Sequence, residues 1–452
     1  MLKRIAIFAA VLAVFLAGIA YFVLRGTAAS LSVSAVTGRL PTISAPARES
    51  IPTVAIAKPI GWKAGEMPTP AQGLKVQAFA AGLDHPRWMT LLPNGDVLVA
   101  ESNKPATKPD GFTDRVMNYL MGFAGAGVPS ANRITLLRDA DGDGIAEQRF
   151  ALLEGLNSPF GMALVGETLY VGNTDALMAF PYKSGETKIT AKGRKILDLP
   201  AAPPNNHWTR NVIANADGSR LYVAVGSNSN IGENGLDREV NRAAILEVDP
   251  KTGKYRIFAS GLRNPNGLAW EPVTGTLWAT VNERDMLGGD LVPDYLAQIN
   301  EGDFFGWPWG YWGGYPDKRV QPERPDLLEY MRRPDYALGA HTAALGLAFA
   351  TGAQLGPRFA NGAFIGLHGS WNRKPPAGYK VMFVPFDADG FPDKKAQPID
   401  VLTGFLTADG DAHGRPVGTT VDAKGALLVA DDVGNVIWRV SAAARSPAAS
   451  AP

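Results

Sequence analysis

A short phrase recurs six times between residues 74 and 440, and it restricts the possible folds of this chain more than any other feature. Each copy has an apolar stretch, a turn rich in Gly or Asn, and a short hydrophobic run that ends in polar residues. The first copy reads RWMTLLPNGDVLVAES and the last reads PVGTTVDAKGALLVADDVGN. Turns such as Asn94-Gly95 between runs of Val, Leu and Ile are typical of β-hairpins. Six strand pairs along one chain predict an all-β, six-bladed β-propeller with long inter-strand loops; a double-sheet sandwich is the alternative.

The charge balance and the absence of cysteine narrow the possible functions. Lys and Arg number 44 against 43 Asp and Glu, which gives a net charge of +1. This balance creates no overall field that favours nucleic acid, so we expect a neutral or weakly charged small substrate. A chain with no cysteine forms no disulfide, thiolate metal site, cysteine nucleophile or covalent c-type haem.

The amino terminus predicts a membrane segment. Lys3 and Arg4 precede an uncharged, mostly apolar run over residues 5–24, and Arg25 follows it. A run of about twenty apolar residues is long enough to span a bilayer. We therefore expect residues 1–30 to be a signal anchor, a single transmembrane helix in the inner membrane with the propeller in the periplasm. Cleavage near GTAAS, which would release a soluble periplasmic protein, is the alternative.

Composition divides the rest of the chain into three parts. Residues 31–72 are rich in Pro, Ala and Ser, which indicates a tether rather than a packed element. The hairpin phrases assign residues 73–440 to the propeller. We expect residues 441–452 to form a disordered tail.

Polar residues collect at the ends of the hairpin phrases, in the segments HWTRN, LRNPNG, VNERDMLGGDLVPDYL, HGSWNRKPPAGYK and HGRPVG. Equivalent ends of successive blades lie on one face of a propeller, so we expect these segments to share a pocket around the axis. Their cations are Arg210, Arg263, Arg284, Arg373, Lys374 and Arg415. In a chain of net charge +1, this cluster predicts a small bound polyanion such as a tricarboxylate. The alternative is that each arginine pairs with a neighbouring acid, but none stands beside Arg263 or Arg415 in the sequence.

Four motifs of the chain resemble those of a known family. LRNPNGLAWEP, VNERD and GDFFGWPWGYW resemble the soluble quinoprotein glucose and sorbosone dehydrogenases, and HGSWNRKPPAGYK is most similar to the sorbosone branch. The resemblance covers residues 73–440. It implies a six-bladed propeller that binds pyrroloquinoline quinone (PQQ), a tricarboxylate ortho-quinone, together with calcium.

The same resemblance implies an activity. The enzyme would oxidise the anomeric hydroxyl or hydrated aldehyde of a sorbosone-like or aldose-like sugar by hydride transfer to PQQ. A separate electron acceptor, the quinone pool or a cytochrome, would reoxidise the cofactor. Two alternatives remain open: a calcium-dependent lactonase-type hydrolase, and a non-catalytic, membrane-anchored binding propeller.

Carried over onto this sequence, the resemblance implies that His207 is the catalytic base, which takes the hydroxyl proton as the hydride leaves. It implies that Arg263 lies over the quinone oxygens and stabilises the reduced anion, with Asn264 in support. The histidine could instead be packing within a turn. The glucose enzymes carry an aspartate after the strand that follows the histidine, whereas this chain has Ser227 and Asn228, so the group that orients the base is left open.

Cofactor and metal ligands are also implied by the resemblance. Lys374, or Arg373 in its place, and Arg415 match positions that hold the cofactor's carboxylates. Residues 282–285 fall where the family offers backbone carbonyl groups to calcium, a hard cation that needs oxygen ligands. This chain has Glu-Arg where the glucose enzymes have Gly-Pro, so ligation by side chains is an alternative. The expected calcium ligands are Asn282, Glu283, Arg284 and Asp285, partly through backbone carbonyl groups.

Two further motifs have both a functional and a structural interpretation. The segment RDADGDGIAE begins like a calcium loop but has Phe150 where such a loop needs a bidentate acid, so it is either a structural calcium site or a solvated acidic turn. Its candidate ligands are Asp139, Asp141 and Asp143. The tryptophans of GWPWGYW either stack on sugar faces or pack a loop. They are Trp307, Trp309 and Trp312.

Overall fold

The structure, a computed structural model, describes residues 26–47, 49, 52–106, 122, 123, 125 and 127–443, together with residues 11, 12, 14, 15 and 18. Three strands precede the first complete blade: β1 (Thr37–Gly38), β2 (Thr69–Pro70) and β3 (Leu74–Ala81). Among the described residues, short 3-10 helices occur at Ser34–Val36, Leu236–Glu239 and Pro357–Phe359, and a short α-helix occurs at Pro325–Leu328.

Six antiparallel sheets follow one another along the chain, and each forms one blade. From the inner to the outer strand, the first three blades are β4 (Pro86–Leu91), β5 (Val97–Glu101), β6 (Arg133–Arg138) and β7 (Gln148–Leu153); β8 (Met162–Val165), β9 (Thr168–Gly172), β10 (Ala176–Pro181) and β11 (Arg194–Asp198); and β12 (Val212–Ala214), β13 (Leu221–Val225), β14 (Ala244–Val248) and β15 (Tyr255–Ser260).

The fourth blade contains β16 (Asn264–Trp270), β17 (Leu277–Asn282), β18 (Pro293–Ile299) and, after an insertion that holds the small sheet of β19 (Gly310–Tyr311) and β20 (Tyr315–Pro316), β21 (Tyr336–Ala340). The fifth contains β22 (Ala348–Phe349), β23 (Gly362–Leu367), β24 (Lys380–Pro385) and β25 (Ile399–Thr403). The sixth contains β26 (Pro416–Val421), β27 (Leu427–Asp431), β28 (Val436–Ala442) and, as its outer strand, β3. The predicted six-bladed propeller is confirmed.

Apolar residues on both faces of the middle strands hold the blades together. Strands β5, β13 and β27 are buried along their whole length, because each lies inside its own sheet and between two neighbouring sheets. Between blades four and five, the ring of Trp278 packs edge-on against Phe386 with centroids 5.1 Å apart. The hairpin turn predicted at Asn94-Gly95 is present, and Gly95 adopts a φ of 91°, which a glycine accepts without strain.

The strand order brings the predicted polar segments to one end of the ring. The first residue of an inner strand pairs with the last residue of the next strand, as Asn264 does with Asn282 and Pro416 with Asp431. The beginnings of the inner strands and the ends of the second strands therefore lie on the same face, which we call the axial face. Because β3 pairs with β28, the amino-terminal strand of the propeller closes the last blade.

The membrane prediction needs correction. No helix within the described part of the chain is long and apolar enough to cross a bilayer. This finding contradicts the predicted single-pass anchor and the inner-membrane location inferred from it, since a span needs about twenty apolar residues in one helix. Most of the predicted span over residues 5–24 lies outside the described residues, as does most of the predicted tail over residues 441–452.

The segment interpreted as a tether contacts the propeller. The described part of residues 26–62, which we call the amino-terminal strap, runs along the rim of the axial face at blades four to six. Ala29 N donates a hydrogen bond to Lys374 O (2.8 Å) and Ala55 N donates one to Trp371 O (2.7 Å). Strands β1 and β2 extend the outer edges of blades four and five. The strap thus forms one wall beside the polar segments.

Candidate active site

The structure brings all five predicted segments together on the axial face, because each adjoins the start of an inner strand or the end of a second strand. Their side chains form two groups. The His207 cluster contains His207, Ser227, Arg263, Asp285 and His341. The Asp432 cluster contains His85, Arg87, His368, Arg415 and Asp432.

His207 is held in one tautomer by Ser227. The Nδ1 atom lies 2.9 Å from both the carbonyl oxygen and the hydroxyl oxygen of Ser227. The carbonyl can only accept, and the hydroxyl already donates to Ser229 O at 2.6 Å, so Nδ1 carries the proton. The Nε2 atom therefore bears the lone pair. Ser227 thus orients the imidazole at the position where the glucose enzymes carry an aspartate.

The surroundings of His207 keep its imidazole neutral. Burial lowers the pKa of His207 well below its usual value of 6.5, and the nearby positive charge of Arg263 lowers it further. A Cβ atom at Gly226 would overlap both Asn264 Oδ1 and His207 Cβ, so the strand end lies directly against these two residues. A base that is unprotonated at neutral pH therefore sits beside a fixed cation.

Arg263 is fixed by acceptors from several loops. Its Nη1 donates to Glu283 O (2.6 Å) and its Nη2 donates to Asn230 Oδ1 (2.9 Å) and to Asp285 Oδ2 (3.1 Å). The neighbouring Asn264 donates through Nδ2 to the side chain of Asn282 (3.3 Å). Its own Oδ1 is buried and has no hydrogen-bond partner among the described residues. Arg263 is thus a positioned charge, and Asn264 keeps an open acceptor.

Asp285 connects Arg263 to a histidine that the sequence analysis did not identify. Asp285 Oδ1 accepts from Asn372 Nδ2 (2.7 Å) and lies 3.5 Å from His341 Nδ1, while His341 Nε2 lies 3.0 Å from Gly288 O. Burial favours the neutral carboxyl, but Arg263 and His341 hold the pKa of Asp285 well below its usual range. Despite burial, Asp285 raises the pKa of His341. The only sequence signal for His341 was that it is one of five histidines.

The Asp432 cluster was also largely missed. Asp432 Oδ2 accepts from His368 Nε2 (2.9 Å) and from Arg87 Nη1, and His85 Nε2 lies 3.4 Å away. Burial lowers the pKa of His368 to about 4. Burial opposes ionisation of Asp432, but His368, His85 and Arg87 hold its pKa far below the usual range. A signal was available, since the segment DHPRW places cations beside the proline that begins β4, as HGRPVG does before β26.

Several donors and acceptors of the Asp432 cluster have no hydrogen-bond partner in the part of the chain that the structure describes. Arg415 lies over the ring of Tyr379, 5.0 Å from its centroid, and its Nη2 is 3.5 Å from Ala57 O in the strap. Within the described residues, Arg87 Nε, Arg415 Nε and Asp432 Oδ1 are buried without a hydrogen-bond partner. A buried polar atom without a partner is costly, so this group has the capacity to bind a polar ligand.

Other predicted cations are committed to the protein itself. Arg210 donates to the carbonyl oxygens of Pro200 (2.7 Å) and His207 (2.8 Å). Arg373 donates to Gly289 O (2.9 Å) and to a second carbonyl at Pro375 (2.7 Å). These two arginines hold loops of the axial face in place. Lys374, in contrast, is exposed at the rim beside the strap.

The segment expected to bind calcium is also bonded to arginine. Arg284 forms a buried ion pair with Asp317 and donates through Nη2 to Asp285 O (2.7 Å). Glu283 Oε2 accepts from Arg284 N (3.0 Å), and burial raises the pKa of Glu283 to about 7. The lactonase alternative requires the side chains of residues 282, 283 and 285 to bind the metal directly. In the structure, oxygen atoms of these three side chains accept hydrogen bonds from other groups of the protein.

The acidic loop lies at the other end of the ring, because β6 begins at the axial face and runs away from it. Asp139, Asp141 and Asp143 are joined by Glu147, and one carboxylate oxygen from each lies within 4.8 Å of the others. Lys424 Nζ contacts this group, 3.1 Å from Asp139 Oδ2. The loop therefore contributes nothing to the axial site.

Two of the three predicted tryptophans pack the fourth-blade insertion. Trp307 and Trp312 are buried, and Trp307 Nε1 donates to Asn230 O at 2.8 Å. Trp309 is half-buried and lies under the guanidinium of Arg324. The insertion thus supports the loop that holds Arg263.

Comparison with known proteins identifies relatives of this chain. The TrAA12-like family model matches residues 128–299 and 328–443. An uncharacterized protein of Borreliella burgdorferi is 28% identical over 358 residues, which cover 77% of this chain and 90% of that protein. The PQQ-dependent pyranose dehydrogenase of Coprinopsis cinerea is 25% identical over 361 residues, 70% of this chain and 44% of that enzyme. This chain thus matches less than half of the fungal enzyme's length.

A solved structure supports the fold. The holo PQQ domain of the Coprinopsis cinerea pyranose dehydrogenase superimposes with a TM-score of 0.66 at 21% identity, over 86% of this chain and all of that domain. The resemblance to soluble PQQ-dependent sugar dehydrogenases is confirmed at the level of the family. Assignment to the sorbosone branch stays a prediction.

Proposed function

The chain belongs to the TrAA12-like family, and on this premise we propose that it is a PQQ-dependent enzyme that oxidises a sugar. The proposed substrate is a sorbosone-like or aldose-like sugar, attacked at its anomeric hydroxyl or hydrated aldehyde. One observation carries the proposal: His207 presents an unprotonated Nε2 next to the fixed charge of Arg263, on a face rich in buried cations.

The residues of the axial face fit a tricarboxylate quinone. Arg87 Nε and Arg415 Nε are buried donors without partners among the described residues, and guanidinium groups bind carboxylates well. Lys374 adds an exposed cation at the rim, where it would act as a point charge. Asn264 offers a buried carbonyl oxygen that has no partner among the described residues and can accept a hydrogen bond from an O–H or N–H of a ligand. We assign Arg87, Arg415 and Lys374 to the cofactor's carboxylates, and Arg263 with Asn264 to its quinone end.

The chemistry supplied by bound PQQ is the acceptance of a hydride from the substrate carbon. His207 Nε2 accepts the proton of the substrate hydroxyl, so that the substrate loses one proton and one hydride. The Ser227 carbonyl accepts a hydrogen bond from Nδ1 throughout, which keeps the ring oriented as its charge changes. Arg263 supplies a fixed positive charge where negative charge develops. A separate acceptor, the quinone pool or a cytochrome, is proposed for the electrons.

Reconstitution tests this function. The protein is titrated with PQQ in excess calcium while the cofactor's absorbance is followed, and aldoses and sorbosone are then added to the loaded protein. We expect saturable PQQ binding, followed by an absorbance change with at least one of these sugars. A parallel assay of lactone hydrolysis examines the alternative enzyme. Absence of PQQ binding, or lactone hydrolysis without cofactor reduction, would show that the proposed function is wrong.

A further inference from the structure

Residues 282–285 hold the oxygen atoms that the family resemblance assigns to calcium, yet in this chain those oxygens face two arginines. We propose that the guanidinium groups of Arg263 and Arg284 take the place of the divalent cation, so that this protein binds PQQ without calcium. This inference rests on the proposed function, since it concerns the same cofactor site.

The backbone carbonyl groups of the segment are engaged first. Arg263 Nη1 lies 2.6 Å from Glu283 O and 3.5 Å from Asn282 O. Arg284 donates to Asp285 O through both Nη2 (2.7 Å) and Nε (3.0 Å). Three of the four carbonyl oxygens offered to a metal thus receive hydrogen bonds from a cation. A calcium ion, which takes six to eight oxygen ligands, would have to displace or share them.

The carboxylate alternatives are engaged as well. Asp285 Oδ2 accepts from Arg263 (3.1 Å) and its Oδ1 accepts from Asn372 (2.7 Å). Glu283 Oε2 accepts from the backbone N–H of Arg284 (3.0 Å). Ligation by these side chains would therefore compete with these contacts, one of which holds the guanidinium of Arg263.

Both guanidinium groups are fixed by partners outside the segment. Arg284 pairs with Asp317, and both side chains are 2% exposed. Arg263 is also held by Asn230, through Nε to its carbonyl (3.2 Å) and through Nη2 to its side chain (2.9 Å). Neither cation can leave without exposing or stranding a buried partner. A divalent ion placed at these oxygens would face two positive charges that cannot move away.

The arginines can supply the fixed positive charge that the metal would supply. A fixed guanidinium stabilises negative charge on a nearby oxygen, and it does so without a hydration shell that must first be removed. Arg263 provides this charge next to His207, and Arg284 fixes the carbonyl group of Asp285 behind it. Calcium and PQQ should therefore bind without coupling.

Titrations of PQQ into metal-stripped wild-type protein test the inference, one with EDTA and one with excess calcium. If calcium binding is not coupled to PQQ binding, the PQQ dissociation constants measured with EDTA and with calcium should agree within about twofold. Tightening by about tenfold or more on addition of calcium would overturn the inference while leaving the proposed function intact. Failure to bind PQQ under both conditions, with EDTA and with excess calcium, would overturn the proposed function and this inference with it.

A paired variant sharpens the test. Arg284→Gln alone strands the buried carboxylate of Asp317, so we combine it with Asp317→Asn to remove both charges. In EDTA, PQQ binding to this double variant should weaken by about tenfold, the effect of losing charged hydrogen bonds. The matched control is Arg332→Gln with Asp303→Asn, an ion pair of the fourth-blade insertion outside both axial clusters, which should bind PQQ like wild type. Equal PQQ affinity in both double variants would contradict a role for Arg284.

Discussion

The two clusters of the axial face use the same residue types in opposite ways. In the His207 cluster, Asp285 bonds to Arg263 and Asn372, and the histidine proposed as the base bonds to Ser227 instead. In the Asp432 cluster, one carboxylate oxygen receives His368 and Arg87, and atoms of the arginines remain without partners among the described residues. The first arrangement leaves one basic lone pair in a satisfied network. The second leaves donors available to a ligand.

This difference suggests a division of work between His207, which is proposed to take the proton, and the Asp432 cluster, which is proposed to hold the cofactor's carboxylates while Arg263 faces its quinone end. The two roles can be tested separately, because a change of His207 should alter the oxidation rate and a change in the Asp432 cluster should alter PQQ affinity.

The largest effect is expected from His207→Gln. Loss of a positioned base should slow single-turnover reduction of bound PQQ by about a hundredfold or more, while PQQ affinity stays near that of wild type. The matched control is His413→Gln, because His413 lies outside both clusters, stacked on Trp62. A normal rate in His207→Gln would mean that this histidine is only packing.

Removal of a cation from the Asp432 cluster should weaken binding instead. Arg415→Gln or Arg87→Gln should raise the PQQ dissociation constant by about ten- to a hundredfold, the range for a lost charged hydrogen bond. The single-turnover rate of the fully loaded enzyme should change little. Fluorescence titration gives the affinity, and thermal unfolding confirms that the variants fold. Unchanged affinity in both variants would separate this cluster from the cofactor.

Two glycines offer a smaller, matched perturbation. A Cβ at Gly226 would overlap Asn264 and His207, whereas a Cβ at Gly414 would overlap the carboxylate of Asp431, next to Arg415. Overpacking of this kind costs about 1–3 kcal/mol. We expect Gly226→Ala to slow the single turnover of the loaded enzyme, because it displaces His207, and Gly414→Ala to weaken PQQ binding without slowing that turnover. The reverse pattern would contradict the division between the clusters.

The smallest effects are expected from pH. Because the folded environment lowers the pKa of His207 well below 6.5, its basic form is present above that pH and is lost only as pH falls through the lowered pKa. The single-turnover rate should therefore be flat above pH 6.5 and decline on acidification. PQQ affinity should change little down to about pH 4, because burial keeps His368 of the Asp432 cluster neutral to that pH. A rate that rises on acidification below pH 6.5 would contradict the assigned protonation state.

Local sequence patterns predicted the propeller because a β-hairpin depends on residues that are close together in the sequence, as at Asn94-Gly95. Such local patterns did not predict which charged side chains of the axial face pair with each other. Arg263 has no acid beside it in the sequence, yet Asp285 reaches it from the end of the next strand. Asp432 of the last blade likewise forms an ion pair with Arg87 of the first blade, where the ring closes. These contacts depend on which strand ends meet, which follows only from the closed ring.

The sequence also did not show which backbone carbonyl groups would accept hydrogen bonds from the predicted cations. Arg210 and Arg373 resembled ligand-binding cations in the sequence, but they donate to carbonyl groups that any residue type could provide. The strap shows the same limit, because its Pro, Ala and Ser residues suggested a tether while its backbone bonds to Trp371 and Lys374. Roles assigned to individual site residues therefore stay predictions until the variants are measured.

A double-mutant cycle tests the central claim most directly. PQQ affinity and single-turnover rate are measured for His207→Gln, Arg415→Gln and the double variant. If the clusters work separately, the double variant should match Arg415→Gln in affinity and His207→Gln in rate when fully loaded. A loaded rate far from that of His207→Gln, or an affinity far from that of Arg415→Gln, would contradict the division between proton transfer and cofactor binding.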